Sequence, residues 1–239
     1  MVNNISILGG SGAIGSSFTL QLSFSYPNAT INVFSRQLPE KMLPNVIYNI
    51  INYQDETSIE ESALVASKDK PIDMVIIATG ILHEGKLMPE KSLKDLSAEK
   101  VQRLFEVNTI LPLLIAKHFL PKLSRETRSI FATLSARVGS ISDNQLGGWY
   151  SYRASKAALN MIIKNIAIEI SRFNKKAIIV GLHPGTVDSN LSKPFQGNVP
   201  YGKLFTPEYS TQKLLEVLTS LTSKQSGKCF AWDGKEILP

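Results

Sequence analysis

One cysteine, Cys229, stands in the 239 residues, so no disulfide can form within the chain. A reducing compartment, the cytoplasm, is the expected setting. No apolar run approaches the roughly 18–20 residues that a membrane-spanning helix needs. The opening MVNNISILGG has neither the basic start nor the apolar core of a secretory signal. Histidine is scarce: His83, His118 and His183 are far apart and lack metal-ligand spacing, so no metal site is expected. Low-complexity blocks, repeats and linkers are missing too. The net charge of +6 comes from Lys and Arg scattered between Arg36 and Lys235. That pattern reads as a solvated basic surface, or as attraction for an anionic ligand. No nucleic-acid-binding module is recognisable, and neither nucleic acid nor membrane is an expected partner.

What is present is an alternation. Apolar runs at Ile5–Leu8, Ile31–Phe34, Val46–Ile50, Asp73–Gly80, Ser129–Leu134, Ala177–Leu182 and Lys228–Trp232 read as strands. A helical pattern follows the first run through Leu22, and others lie at about 57–67, 97–122, 151–173 and 207–222. Strands without polar alternation are expected where helices cover both sheet faces. Strand–helix alternation then implies a parallel sheet. The expected fold is α/β, a doubly wound parallel sheet of about seven strands with helices on both faces. At 239 residues and 43% hydrophobic content, residues 1–239 form one domain. Pro112 should kink or break the helix that contains it. The Pro- and Gly-rich stretch at about 186–208 is long for a compact domain, and long loops tend to be functional. It reads as a mobile flap over a site.

Gly10-x-Gly12-x-x-Gly15 follows the first strand and opens the first helix. Small residues there let the backbone turn tightly and approach a pyrophosphate, while the helix N-terminus offers free amides. This is the phosphate loop of a Rossmann dinucleotide site. At the end of the second strand an NAD site usually carries an acid for the ribose 2′-hydroxyl. Here the chain reads VFSRQ: it has Arg36 and no carboxylate. A guanidinium pairs with a 2′-phosphate, so NADP is favoured over NAD.

Tyr152 and Lys156 are four residues apart, on one helical face. A nearby ammonium stabilises tyrosinate and lowers a phenol's pKa, making it usable as a general acid or base. Tyr150 has Ala154 in the corresponding position and lacks that partner.

These features together resemble the short-chain dehydrogenase/reductase family over nearly the whole chain. ILGGSGAIG is similar to its cofactor loop, with Ala13 where many members have glycine. Ala78–Gly80 is similar to its Asn-Asn-Ala-Gly element, FEVNT supplies Asn108, YRASK supplies Tyr152 and Lys156, and HPGTVDS is similar to its Pro-Gly segment. SARVGSISDNQLGGWYSYRASKAALN and FAWDGKEI are most similar to the C-factor branch, and more distantly to small carbonyl reductases. The resemblance implies a nicotinamide-dependent oxidoreductase that reduces a small carbonyl compound, or oxidises the alcohol. Tyr152 would protonate the carbonyl oxygen, Lys156 would hold the nicotinamide ribose and depress the tyrosine pKa, and Asn108 would anchor a water in the proton relay. Cofactor contacts would come from Gly9, Ser11, Gly12, Ala13, Ile14 and Gly15; from Ser35, Arg36 and Asn52; from Ala78, Thr79 and Gly80; from Tyr152 and Lys156; and from Pro184, Gly185, Thr186 and Val187. Family members commonly dimerise through the corresponding helices, and both the helix after Lys156 and that around Leu111–Ile115 are apolar over more than one stripe. A homodimer or homotetramer is expected.

One departure matters. The family's serine stands three residues before a glycine, and counting back from Gly139 gives Ala136; Ser135 is its neighbour. Three accounts remain open: Ser135 serves, another donor such as Ser140 or a water serves, or catalysis is weak. The weak-catalysis account leaves an alternative function, a nucleotide-binding sensor or signalling protein. A sugar-nucleotide epimerase or dehydratase is a third, disfavoured by the short C-terminal portion. Cys229 reads as buried filler, His118 as a satisfied, partly buried side chain, His183 as a residue shaping the adjoining Pro-Gly loop, and Asp188 as a flap hinge or cap.

Overall fold

The computed structural model describes residues 2–239. In chain order the elements are β1 (Asn4–Leu8), α1 (Ala13–Ser25), β2 (Thr30–Ser35), β3 (Val46–Ile50), α2 (Glu56–Ala66), β4 (Met74–Ile77), α3 (Ala98–Phe105), α4 (Leu111–Phe119), β5 (Ser129–Leu134), α5 (Tyr150–Ile170), β6 (Ala177–His183), β7 (Thr186–Val187), β8 (Leu204–Phe205), α6 (Pro207–Ser220), β9 (Lys228–Ala231) and β10 (Glu236–Ile237). The main sheet has the order β10-β9-β6-β5-β4-β1-β2-β3, and every pairing is parallel except β9 with β10. All seven expected strands are in it. The eighth, β10, is two residues long and too short for a periodic signal. The Asp233-Gly234 pair before it, with Gly234 at φ 81°, is the turn that returns the chain.

The uninterrupted apolar strands are explained by two cores. Leu8, Phe34, Val75, Ile77, Phe131 and Ile179 face one side, where Ile59, Ile115, Phe119, Leu159 and Ile163 of α2, α4 and α5 cover them. Ile5, Ile7, Ile31, Val33, Ile76, Ala132 and Val180 face the other, against Phe18 and Leu22 of α1 and Leu214 and Leu218 of α6. Adjacent strand residues point to opposite faces, so a strand buried on both must be apolar throughout.

Ala98–Lys122 is one continuous helix, and by length and mean hydropathy (1.2) it could cross a membrane; half of its apolar window is buried inside the fold, against α2 and α5. The expected disturbance at Pro112 takes the form of a π turn at Glu106–Ile110, where the Leu111 amide bonds to the Glu106 carbonyl. Proline cannot donate to the ladder, and the wider turn lets the helix resume without a break. The stretch at 186–208 has structure of its own: β7 and β8 pair as a two-stranded parallel sheet, with a 3-10 turn at Lys193–Asn198 between them. Asp188 does not cap a helix; its carboxylate accepts from Gln196 Nε2 at 2.8 Å, bracing the segment internally.

The chain runs from β1 outwards through β2 to β3, then returns to β4 on the other side of β1. This switch point leaves a crevice at the carboxyl ends of β1 and β4, where ligands bind in sheets of this type.

Candidate active site

The glycine loop is held by contacts that only glycine allows. Gly9 has φ 87°, and a Cβ there would lie 2.9 Å from the backbone of Ala78 and Thr79; one on Gly15 would lie 2.2 Å from the Gly9 oxygen. The Gly9 amide bonds to the Phe34 carbonyl at 2.9 Å and to the Tyr53 hydroxyl at 2.7 Å, and that hydroxyl donates back to Phe34 O at 3.0 Å. Tyr53 therefore ties β1, β2 and β3 together at the mouth of the crevice, and burial pushes its pKa above the usual phenol value. Sequence reasoning missed it; its only signal was an aromatic residue three positions after the third strand. Helix α1 has Gly12 as its N-cap, with no side-chain cap bond and no acid in its first turn, which leaves its amides open to an anion.

A cavity of about 400 Å³ opens from this loop. Gly9, Ser11, Gly12, Arg36, Asn52, Ala78, Thr79 and Gly80, all among the expected cofactor contacts, are on its wall. Tyr53, Gln54, Ile81, Glu84, Arg103 of α3 and residues of the π turn and α4 complete it. Arg103 is neutralised by Glu84 and Glu106, at 2.8 and 3.1 Å. Arg36 is exposed and makes no ion pair among the described residues. Ala13, Ile14, Gly15 and Ser35 do not line the cavity; Ser35 is buried and donates to Gln37 O at 2.6 Å. The segment from Pro184 to Val187 lies at the root of the flap, where Gly185 (φ 77°) packs on Phe205 and Trp232, and Pro184 O accepts from Ser210.

The fit to a dinucleotide rests on the wall itself. Thr79 Oγ1 is shut off from solvent with no protein partner, and such groups require one. A Cβ on Gly80 would stand 3.4 Å from Asn108 Oδ1 and 3.6 Å from Lys156 Nζ. Glycine at that position keeps open the space that joins the cavity to the α5 side chains.

Tyr152 and Lys156 share one face of α5. The ammonium stands 6.0 Å from the phenol ring centroid and donates to Leu134 O at 2.9 Å. Gly139 packs on the backbone of Lys156, where a Cβ would approach within 2.8 Å. Asn108, fully buried in the π turn, accepts from the Ile81 amide and donates to the Ile81 carbonyl, both at 2.9 Å, and donates to Ser155 Oγ at 3.2 Å. Thr109 Oγ1 donates to Ser155 O at 2.8 Å. Asn108 and Thr109 thus stitch the π turn and the segment after β4 to α5. Both side-chain N–H groups of Asn108 are spent on protein, and the side chain fixes the backbone at Ile81.

The expected depression of the tyrosine pKa is not found. Burial pushes Tyr152 up to about 12 and Lys156 down to about 8. Both groups lose hydration, and at this separation the ammonium does not offset that loss at the phenol. Ser135 is buried and donates to Asn160 Oδ1 at 2.6 Å, one turn beyond Lys156. Ser140 accepts from the Asp143 amide at 3.1 Å and lies 3.3 Å from Ser142 Oγ. Cys229 is buried, and its thiol is pushed up to about 12. His118 is bonded to Glu56 at 3.0 Å.

Around Tyr152 is an aromatic group that the sequence did not reveal as one. Trp149 meets the Tyr152 ring edge-on at 6.2 Å and the Phe195 ring at 5.0 Å; Phe195 also packs on His83, whose Nε2 lies 3.1 Å from Asn190 O. Phe195 and Asn190 come from the flap, which is therefore docked beside the phenol.

A glycine loop at a switch point, with a half-buried tyrosine and a buried lysine beside it, defines a class, and comparison with known proteins identifies it. Residues 3–199 match the family described as short chain dehydrogenase, and the chain belongs to that family of oxidoreductases. It is 30% identical over 185 residues to the 1-hydroxy-2-glutathionyl-2-methyl-3-butene dehydrogenase of Rhodococcus sp. (strain AD45), covering 77% of this chain and 76% of that one. It is 31% identical over 146 residues to the C-signal protein of Myxococcus xanthus, covering 61% and 82%. In fold it is similar to an NADPH-bound carbonyl reductase from chicken fatty liver, with a TM-score of 0.85 at 23% identity, covering 100% of this chain and 94% of that one.

Proposed function

We propose that the protein is an NADP-dependent reductase of small carbonyl compounds, with Tyr152 as the proton donor. The observation that carries this reading is the Tyr152–Lys156 pair on one face of α5, reached from the cavity across Gly80. NADPH, when bound, supplies hydride to the carbonyl carbon. Tyr152, protonated at neutral pH because burial raises its pKa to about 12, passes its proton to the carbonyl oxygen, giving the alcohol. Lys156, whose ammonium donates to Leu134 O, would also hold the nicotinamide ribose and stabilise the tyrosinate until it is reprotonated. The amides at Ser11–Ala13 and the α1 N-terminus receive the pyrophosphate. Arg36, which makes no ion pair among the described residues, would receive the 2′-phosphate and favour NADP over NAD. Trp149 and Phe195 form an apolar wall for the substrate.

The test is NADPH consumption with a panel of aldehydes and ketones, wild type beside Tyr152→Phe. Turnover lost in the variant with NADPH binding intact supports the reading. A second reading, a nucleotide-binding sensor with little turnover, draws on Ala136 and on the commitment of the Ser135 hydroxyl to Asn160. Tight NADPH binding with no turnover on any carbonyl would favour it. A homodimer or homotetramer is part of the same proposal, supported by exposed Ile110, Leu113, Met161 and Ile168 on α4, α5 and the π turn; sedimentation equilibrium tests it.

A further inference from the structure

Helix α5, which carries Tyr152 and Lys156, begins without a cap of its own. Its N-cap residue is Trp149, which offers no side-chain acceptor and sits at φ 50°, in the left-handed region that favours glycine. The Ser151 amide in the first turn would be an orphan donor. The acceptor comes instead from a segment 61 residues earlier. Glu90 is 1% exposed, has no ion-pair partner among the described residues, and turns its carboxylate to that first turn: Oε2 accepts from the Ser151 amide at 3.3 Å, and Oε1 accepts from the Ser151 hydroxyl. The Glu90 carbonyl also accepts from the Trp149 amide. It lies 3.4 Å from where a Cβ on Gly148 would stand. A buried carboxylate is costly unless its hydrogen bonds are made, and a negative charge at a helix N-terminus is favoured by the helix dipole. The residues Glu90 holds directly flank the phenol: Ser151 precedes Tyr152 in the chain, and the Trp149 ring meets the Tyr152 ring edge-on. Glu90 and Tyr152 also line one small cavity together.

We propose that Glu90 is a positioning residue for the reaction, a remote cap on α5 that fixes the Tyr152 phenol through Ser151 and Trp149. This rests on the reading of Tyr152 as proton donor. The same residue joins the first turn of α5 to the segment that leaves β4, whose other end is held at Ile81 by Asn108. The cofactor side and the phenol side of the site are thereby set against one another by two buried clamps. A loosened α5 start moves the phenol relative to the cavity without touching the glycine loop, so the cost falls on turnover and not on cofactor affinity.

The experiment compares Glu90→Gln, Ser151→Ala and Tyr152→Phe with wild type for kcat and KM on a carbonyl substrate, for the NADPH dissociation constant, and for thermal unfolding. The isosteric Glu90→Gln variant should lose about tenfold to a hundredfold in kcat, the scale expected when a catalytic group is displaced by about 1 Å. Its NADPH dissociation constant should stay within about twofold of wild type on the same ground. A folded Glu90→Gln variant with wild-type kcat overturns the inference, as does one whose kcat loss is matched by lost NADPH affinity. Should Glu90→Gln fail to fold, Ser151→Ala decides by the same two measurements. Tyr152→Phe separates the levels: if it stays active, the reading of Tyr152 fails, whereas its inactivity beside a fully active Glu90→Gln sinks only the role of Glu90.

Discussion

Gly15 lies so close under Gly9 that a methyl group on its Cα would come within 2.2 Å of the Gly9 carbonyl oxygen. Backbone, not a flexible side chain, is the obstacle. Gly15→Ala should destabilise the fold by about 1–3 kcal/mol, as overpacking does, and weaken NADPH binding by displacing the loop. Gly12→Ala is the control: its Cβ meets only the Gly9 oxygen, at an ordinary 3.6 Å, at φ −77°. Thermal melts should separate the two variants, and equal melting temperatures would show that the loop yields.

Arg36 is on the cavity wall after β2 and makes no ion pair among the described residues. Replacing it by glutamate exchanges a partner for a 2′-phosphate with one for a 2′-hydroxyl. Charged hydrogen bonds of this kind contribute about 1.5–3 kcal/mol. Arg36→Glu should therefore cut the preference for NADPH over NADH by about tenfold to a hundredfold, measured as the ratio of dissociation constants by calorimetry. An unchanged ratio would remove Arg36 from the cofactor assignment.

Ser135 and Ala136 exchange expectations. Because the Ser135 hydroxyl is bonded to Asn160, Ser135→Ala should cost about 1 kcal/mol of stability and leave kcat nearly as it was. Ala136→Ser restores a donor at the position where the family carries one. Donors to a developing oxyanion are worth about 10²–10³ in kcat when well aimed, so a clear rise in kcat is expected, at least about tenfold. Steady-state kinetics on one aldehyde decide it. A large loss in Ser135→Ala would return the role to Ser135.

His183 gives a pH dependence of known sign. Burial, with the Arg137 charge assisting and Asp233 opposing, lowers its pKa from 6.5 to about 4. Its Nδ1 is enclosed without a partner. Between those two values the unfolded chain binds a proton that the native ring does not, so stability is lost as pH falls through that window. The slope should approach about 1.4 kcal/mol per pH unit near its centre. Urea unfolding from pH 7 to 4 should show this fall, and His183→Ala should flatten it whatever its overall stability. An unaltered slope in the variant would assign the acid lability to the carboxylates.

Much of the fold was legible because burial on both faces leaves a plain mark. Ser129–Leu134, buried at every position, was bounded correctly from apolar content alone; Val46–Ile50 was too, although it is an edge strand with Ile47 and Ile50 exposed. The two-residue strands β7, β8 and β10 were not, since so short an element has no period and is defined by its partner. Pro112 announced a disturbance in its helix, but whether that would be a kink, a break or a π turn depended on α5 packing against it through Asn108, Thr109 and Ser155.

Local spacing by itself determined that a glycine loop opens the first helix, that Arg36 replaces an acid, and that Tyr152 and Lys156 share a face. Each is a relation among residues a few positions apart, which helix and turn geometry fix without outside help. Only the tertiary structure decided how these groups are solvated and what holds them. Burial drives the Tyr152 and Lys156 pKa values in directions the pair considered alone does not, because desolvation depends on everything packed around them. The bonds from Tyr53 to Gly9, from Asn108 to Ile81 and from Ser151 to Glu90 span 44, 27 and 61 positions, and no local pattern encodes contacts at that range.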